Sequence, residues 1–170
     1  CGDLSNLEGL VDTVRTFRPD VVVNAAAYTA VDKAESDSQT AFWVNELAPE
    51  ALSGACAATG AYLVHFSTDY VFDGSGQKPW LETDATGPLN VYGHSKLAGE
   101  KGIAQHGSQH VIFRTSWVYG TEGGNFAKTM LRLAQERERM TVINDQFGAP
   151  TGAALLADVT ALALQASTPL

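Results

Sequence analysis

The run Asp20-Val21-Val22-Val23-Asn24-Ala25-Ala26-Ala27 decides the architecture. Three consecutive valines with no alternation read as a short strand buried on both faces, the kind that builds parallel sheets. Upstream, Leu7, Leu10, Val11, Val14 and Phe17 recur at helical spacing. Ser5 or Asn6 can cap that helix and Pro19 ends it. Downstream, a helical stretch over 31–59, with a break near Glu46, closes on Gly60, a residue suited to a helix C-cap. Strands over 62–67, 110–115 and 140–143 then alternate with helices over 92–105, 125–138 and 153–166. This alternation predicts an α/β fold, a doubly wound parallel sheet of Rossmann-like type.

In such sheets ligands sit outside the carboxyl ends of the strands. Four strand ends are polar or small: Asn24 to Ala27, Ser67-Thr68-Asp69, Thr115-Ser116-Trp117 and Asn144-Asp145-Gln146. The long stretch from Thr68 to Asn90 collects turn residues and reads as a functional loop.

The chemistry sits in Tyr92-Gly93-His94-Ser95-Lys96. A spacing of four places Tyr92 and Lys96 on one helical face. A phenol beside a cation ionises more readily and can exchange a proton nearer neutral pH. A hydroxyl from another strand end, Thr68, can hold the oxygen that receives the proton. Each piece alone is ordinary. A Tyr-x-x-x-Lys also describes a lysine stem packed on a ring, and Ser-Thr-Asp is common in turns. Their combination, in this order, equips a site to reduce a carbonyl beside a nicotinamide. Asp32, Lys33 and Glu35 read equally well as a solvated helical face. His65, His94, His106 and His110 lack metal-ligand spacing and read as structural or surface residues. Phe126, Met130 and Leu133 read as core.

Composition narrows the class. The 170 residues are 45% hydrophobic and 18% charged, with a formal net charge of -8. An acidic chain is not expected to bind nucleic acid or an anionic membrane. The two cysteines, Cys1 and Cys56, have no metal spacing and fit a reduced, cytoplasmic setting. No apolar stretch is long enough to span a membrane.

Longer runs carry a resemblance. They include Arg18-Pro19-Asp20, Ala30-Val31-Asp32-Lys33-Ala34-Glu35, Ser67-Thr68-Asp69-Tyr70-Val71-Phe72, Pro88-Leu89-Asn90-Val91-Tyr92-Gly93, Arg114-Thr115-Ser116-Trp117-Val118-Tyr119 and Asn144-Asp145-Gln146-Phe147-Gly148-Ala149-Pro150-Thr151. Over essentially its whole length the chain resembles the extended short-chain dehydrogenase/reductases, and within them the dTDP-4-dehydrorhamnose reductase family. The resemblance implies NAD(P)H-dependent reduction of the C4 keto group of a dTDP-sugar, with NADPH or NADH as cofactor. It implies Tyr92 as proton donor, Lys96 as the residue that lowers its pKa and binds the nicotinamide ribose, and Thr68 on the substrate carbonyl. Asp69 and Trp117 match substrate-contacting positions. Asp3 and Leu4 match the segment beside the adenine, and Ala27, Tyr28 and Thr29 the cofactor-lining segment. Position 28 is often His in the family. Asn45 matches a helix asparagine of a proton relay.

The resemblance also implies what a relative adds. The family opens with a strand, a glycine-rich turn and a helix that bind the pyrophosphate, and closes with a smaller lobe over the sugar. Residues 1–170 then form a partial, incomplete cofactor-binding domain. Some relatives bridge a homodimer through Mg2+ held by a Glu after Pro-Thr-Gly. Here Ala153-Ala154 follow Pro150-Thr151-Gly152, which argues against that metal. A 4,6-dehydratase would place Glu after the active-site Thr-Asp pair, where this chain has Tyr70. A non-catalytic nucleotide-binding subunit of the same fold is the alternative from a different class.

Overall fold

The computed structural model describes residues 2–167; Cys1 lies outside them. Two compact units divide at Arg114 and Thr115.

The first unit begins with helix α1 (Leu7–Phe17). Asn6 caps it by accepting the Gly9 N–H, and Arg18 ends it in the left-handed conformation just before Pro19. Strand β1 (Val21–Asn24) follows and pairs in parallel with β2 (Tyr62–Thr68), Val22 against Leu63 and Asn24 against His65. Strand β3 (His110–Thr115) completes a three-stranded sheet in the order β1-β2-β3. Between β1 and β2 lie α2 (Val31–Ala34), α3 (Ser38–Phe42), a π-helical turn (Trp43–Leu47) and α4 (Ala48–Thr59). Between β2 and β3 lie a short 3-10 turn (Asp69–Val71) and α5 (Val91–Gln105).

The core forms where these layers meet. Leu10 and Val14 of α1 pack with Ala48, Leu52 and Ala55 of α4. Cys56, Leu63 and Ile103 join α4, β2 and α5. Burial pushes the Cys56 thiol up to about 11. Helix α5 carries buried residues along most of its length, so it is a central element rather than a surface one. Glu100 of α5 accepts three hydrogen bonds from the Arg114 guanidinium, at 3.0, 3.3 and 2.7 Å. Arg114 lies 5.0 Å from the Phe72 ring centre, and Phe72 stacks on Trp80 at 4.6 Å. That stack fastens part of the long loop.

The second unit contains β4 (Val118–Tyr119), α6 (Phe126–Glu136), β5 (Thr151–Gly152) and α7 (Ala153–Ser167). Strands β4 and β5 pair in parallel.

Several sequence expectations need correction. Val23 is 48% exposed, so β1 is covered on one face and open on the other. The helical stretch over 31–59 is broken at Glu35–Asp37 as well as by the π-turn. Residues 140–143 form no strand; the parallel partner of β4 is Thr151–Gly152. None of the α6 residues is buried: Phe126 is exposed, and Met130 and Leu133 are only partly covered. Its apolar stripe is real, but nothing within its own unit covers it fully.

Candidate active site

The first unit brings the carboxyl ends of β1 and β2 against the N-terminal half of α5. Asn90 starts α5 by accepting the Gly93 N–H at 2.7 Å, and the Glu35 carboxylate accepts the Val91 N–H at 2.8 Å. Gly93 lets the first turn press on the strand end, because a Cβ there would overlap the Tyr70 carbonyl oxygen. The sequence at this point folds to deliver Tyr92 to the end of β2.

Tyr92 is buried beside Tyr70, whose ring meets it edge-on at 5.6 Å. Thr68, also buried, ends β2. Its Oγ1 accepts the Tyr70 N–H and donates to the Asp69 carboxylate, both at 3.2 Å. Burial pushes the Tyr92 phenol up, while hydrogen bonding with Thr68 partly offsets this; the Asp69 and Tyr70 charges add to the rise. The phenol, the threonine hydroxyl and a carboxylate therefore act on one another at the end of β2. A phenol held protonated in such a setting is equipped to donate rather than accept a proton.

Lys96 follows one turn later and is 1% exposed. Its Nζ donates to the Phe66 carbonyl at 2.6 Å and lies 3.2 Å from His65 Nε2. Burial draws the ammonium down to about 8, partly countered by Glu100. Burial, Thr68, Asp69 and Tyr70 are the influences that set the Tyr92 phenol. The lysine head is spent on β2 rather than on the phenol, and burial governs Tyr92.

Asn45 is 1% exposed on the π-turn. Its Oδ1 accepts the Tyr28 N–H at 2.9 Å, and its Nδ2 donates to the Tyr28 carbonyl and to Ser95 Oγ, each at 3.0 Å. Ser95 Oγ donates to the Tyr92 carbonyl at 2.8 Å. One side chain thus ties the segment after β1 to the helix that carries Tyr92. The π-turn delivers it: a π-bulge re-aims a residue that an α-helix would point elsewhere. The Tyr28 ring packs with Ala34, Ala41 and Tyr92, and its hydroxyl donates to Asp37 at 3.3 Å. This is how a tyrosine is accommodated at position 28.

Ala25 and Ala26 are exposed at the end of β1 and share the wall of a groove of about 620 Å3 with Gly2 and Leu4. Ala27 is half-buried and Thr29 exposed. Asp3 is exposed, and its carboxylate accepts the Ser5 N–H and hydroxyl, which holds its pKa low. Side chains no larger than alanine leave the strand-end backbone open to a flat or extended ligand, so these residues fit a dinucleotide.

Trp117 belongs to the second unit. Its φ is +43°, in the left-handed region that a bulky residue rarely adopts. It is 47% exposed, and its carbonyl accepts the Thr151 N–H. A Cβ at Gly148 would collide with its indole, so a glycine is needed beneath the ring. Strained, exposed aromatic residues of this kind concentrate at ligand sites. No three His, Cys, Asp or Glu side chains among the described residues group as a metal site.

His65 is a buried neighbour of Lys96 that sequence reasoning read only as structural or surface. It is fully buried and touches Lys96 on one side and Asn24 on the other. The signal was present: a polar ring in the middle of an apolar strand, two residues before Ser67.

Comparison with known proteins bears on these observations. The family model described as RmlD substrate binding domain matches residues 1–169. The chain is 63% identical over 165 residues to the dTDP-4-dehydrorhamnose reductase of Escherichia coli K12, covering 97% of this chain and 55% of that protein. It is 54% identical over 162 residues to the enzyme of the same name from Burkholderia thailandensis, covering 95% and 54%. The crystal structure of dTDP-4-dehydrorhamnose reductase from Bacillus anthracis in complex with NADP superposes with a TM-score of 0.92 at 38% identity, over 96% of this chain and 59% of that one. The Bordetella bronchiseptica enzyme WbmG, in complex with NAD and UDP, superposes at 0.83 with 22% identity, over 99% and 54%, a likeness of fold alone. The chain spans about half the length of the curated relatives it matches.

Proposed function

The chain belongs to the RmlD substrate binding domain family, and from that premise we propose that the full protein containing it is an NAD(P)H-dependent dTDP-4-dehydrorhamnose reductase. It reduces the C4 keto group of dTDP-4-dehydro-L-rhamnose to give dTDP-L-rhamnose, and it works in the cytoplasm. The observation that carries this reading is the burial of Tyr92 and Thr68 together at the end of β2, with Lys96 one turn further along the same helix.

The dinucleotide supplies the hydride when bound. Ala27, Tyr28, Thr29, Leu4 and Asp3 are the residues of this chain proposed to line its site, and Lys96 is proposed to hold its ribose. The remaining work falls to side chains. Thr68 turns its hydroxyl from Asp69 to the keto oxygen and fixes its position. Tyr92, kept protonated by burial, gives its proton to that oxygen as negative charge develops there. Asp69 and Trp117 contact the sugar nucleotide. Packing of Tyr92 against Ala34, Ala41, Tyr28 and Tyr70 limits the access of water to the proton transfer.

The test is NADPH oxidation by the full-length protein with dTDP-4-dehydro-L-rhamnose, run beside Thr68→Val and Tyr92→Phe. Substrate-dependent oxidation that both changes suppress supports the proposal. A full-length protein that binds the nucleotide but oxidises no NADPH would point instead to a non-catalytic binding role.

A further inference from the structure

The His65 ring spans the space between Lys96 and Asn24. Its Nε2 lies 3.2 Å from Lys96 Nζ, and its Nδ1 lies 3.1 Å from Asn24 Nδ2. All three side chains are buried. Asn24 ends β1, and its Oδ1 accepts the Ala26 N–H at 3.3 Å. Lys96 also donates to the Phe66 carbonyl, a group that can only accept. We propose that His65 is a positioning residue that couples the protonation of Lys96 to the amide of Asn24, and so to the strand-end backbone at Ala26. This rests on the reading of Lys96 as part of the reductase site.

The argument is an accounting of protons. A neutral imidazole has one N–H and one bare nitrogen. Burial, with Lys96 adding to it, draws the His65 pKa down to about 3, so the ring stays neutral throughout the working range. In the arrangement seen, Asn24 Nδ2 donates to Nδ1, so the ring proton sits on Nε2. Nε2–H must then donate to Lys96, which accepts only as a neutral amine. When Lys96 is an ammonium it donates to Nε2 instead. The ring proton then sits on Nδ1 and needs an acceptor, so the Asn24 amide turns over to present Oδ1. The Ala26 N–H thereby loses its partner. Passing from the second arrangement to the first releases one proton to solvent: Lys96 gives its proton to Nε2, and Nδ1 gives up its own.

Few other charges act on the pair. Glu100, one turn beyond Lys96 on α5, favours the ammonium. Arg114 on β3 holds Glu100. Tyr92 precedes Lys96 by one turn and feels Asp69 and Tyr70. Strand β1 contributes only the neutral Asn24. The exchange should therefore follow Lys96, near pH 8.

The experiment uses the full-length protein in two arms. In the first, 15N NMR of histidine-labelled wild type follows the His65 ring from pH 6 to 10, a readout independent of turnover. The expected result is a change from the Nδ1–H to the Nε2–H tautomer near pH 8, with no imidazolium. One tautomer throughout, or an imidazolium above pH 6, overturns the proposal. The second arm compares the pH profile of turnover per folded molecule in His65→Leu and His65→Gln. Leucine leaves a buried ammonium with Phe66 O as its single acceptor. A charged donor loses more than a neutral one, so the alkaline limb should move down by about one pH unit. Glutamine offers either an oxygen or an NH2 at the Nε2 position and should restore the limb. An unmoved limb in folded His65→Leu also overturns the proposal. If the wild-type protein reduces no keto-sugar while the tautomer still changes, the coupling stands and the reductase reading fails.

Discussion

Tyr92 and Lys96 sit on one buried helical face yet lead separate chemical lives. The phenol answers to burial and Thr68, the ammonium to burial and Glu100. Tyr92→Phe in the full-length protein keeps the ring and its edge contact with Tyr70 but removes the transferable proton. Turnover should fall by about 10²–10⁴-fold with cofactor affinity preserved, as measured by steady-state kinetics and dinucleotide titration. Near-normal turnover in a folded variant would reject the assignment. Lys96 makes a second prediction, for stability. Its folded pKa is lowered to about 8 from 10.5. Between these values the unfolded chain binds more protons than the folded one, so this residue makes stability rise with pH. Cys56, raised to about 11 from 9.0, has the opposite sign above pH 9. Denaturant melts of wild type and Lys96→Met between pH 8 and 9 should therefore differ in slope, by up to about 1.4 kcal/mol per pH unit. Parallel slopes would mean that the ammonium is solvated. That Tyr92 and Lys96 share one face of a helix was legible in sequence, because spacing suffices to place two side chains on a helix. Where the lysine head points was not, because that depends on His65 and Phe66, which arrive from a strand 31 and 30 residues away.

At the scale of elements, the site depends on how closely α5 approaches the π-turn. A Cβ at Gly99 would overlap the Asn45 carbonyl oxygen, which is backbone and cannot swing aside. Gly99→Ala should push the two apart, weaken the Asn45 links to Tyr28 and Ser95, and destabilise the protein by about 1–3 kcal/mol. Gly54→Ala is the control, since its Cβ would meet His106 only at an ordinary 3.5 Å. Thermal melts of both separate a steric effect from helix propensity, and equal melting points would remove the argument. Helix α5 and the Gly60 cap were legible because local chemistry dictates them, whereas the Asn90 cap of α5 emerged only from the structure. The π-turn was sensed only as a break near Glu46, because its extra residue is fixed by the Asn45 contacts on both sides. The strand at 151–152 was missed because two residues leave no periodicity.

For the whole molecule, the open side of β1 sets the behaviour of these 170 residues taken alone. One edge of β1 pairs with β2; the other has no partner among the described residues and lies along the groove with Leu4, Leu10 and Phe17. Unpaired edges beside apolar surface recruit other chains. The isolated chain should therefore associate in light scattering, and Val23→Lys should reduce that association. A monodisperse monomer with a sharp melt would count against this. The parallel order of the sheet was readable from the valine run, but the expectation of cover on both faces was not met. Hydrophobicity records that a face must be buried somewhere, and not which segment buries it. The π-turn has a consequence of another kind. The π-turn, Trp43–Leu47, holds one residue more per hydrogen-bonded step than an α-helix does. Alignments of this chain with a relative lacking the turn must open a one-residue gap within 43–47. A gap slid into the neighbouring loop would put the wrong residue in register with Asn45 and with each position between the true gap and the false one.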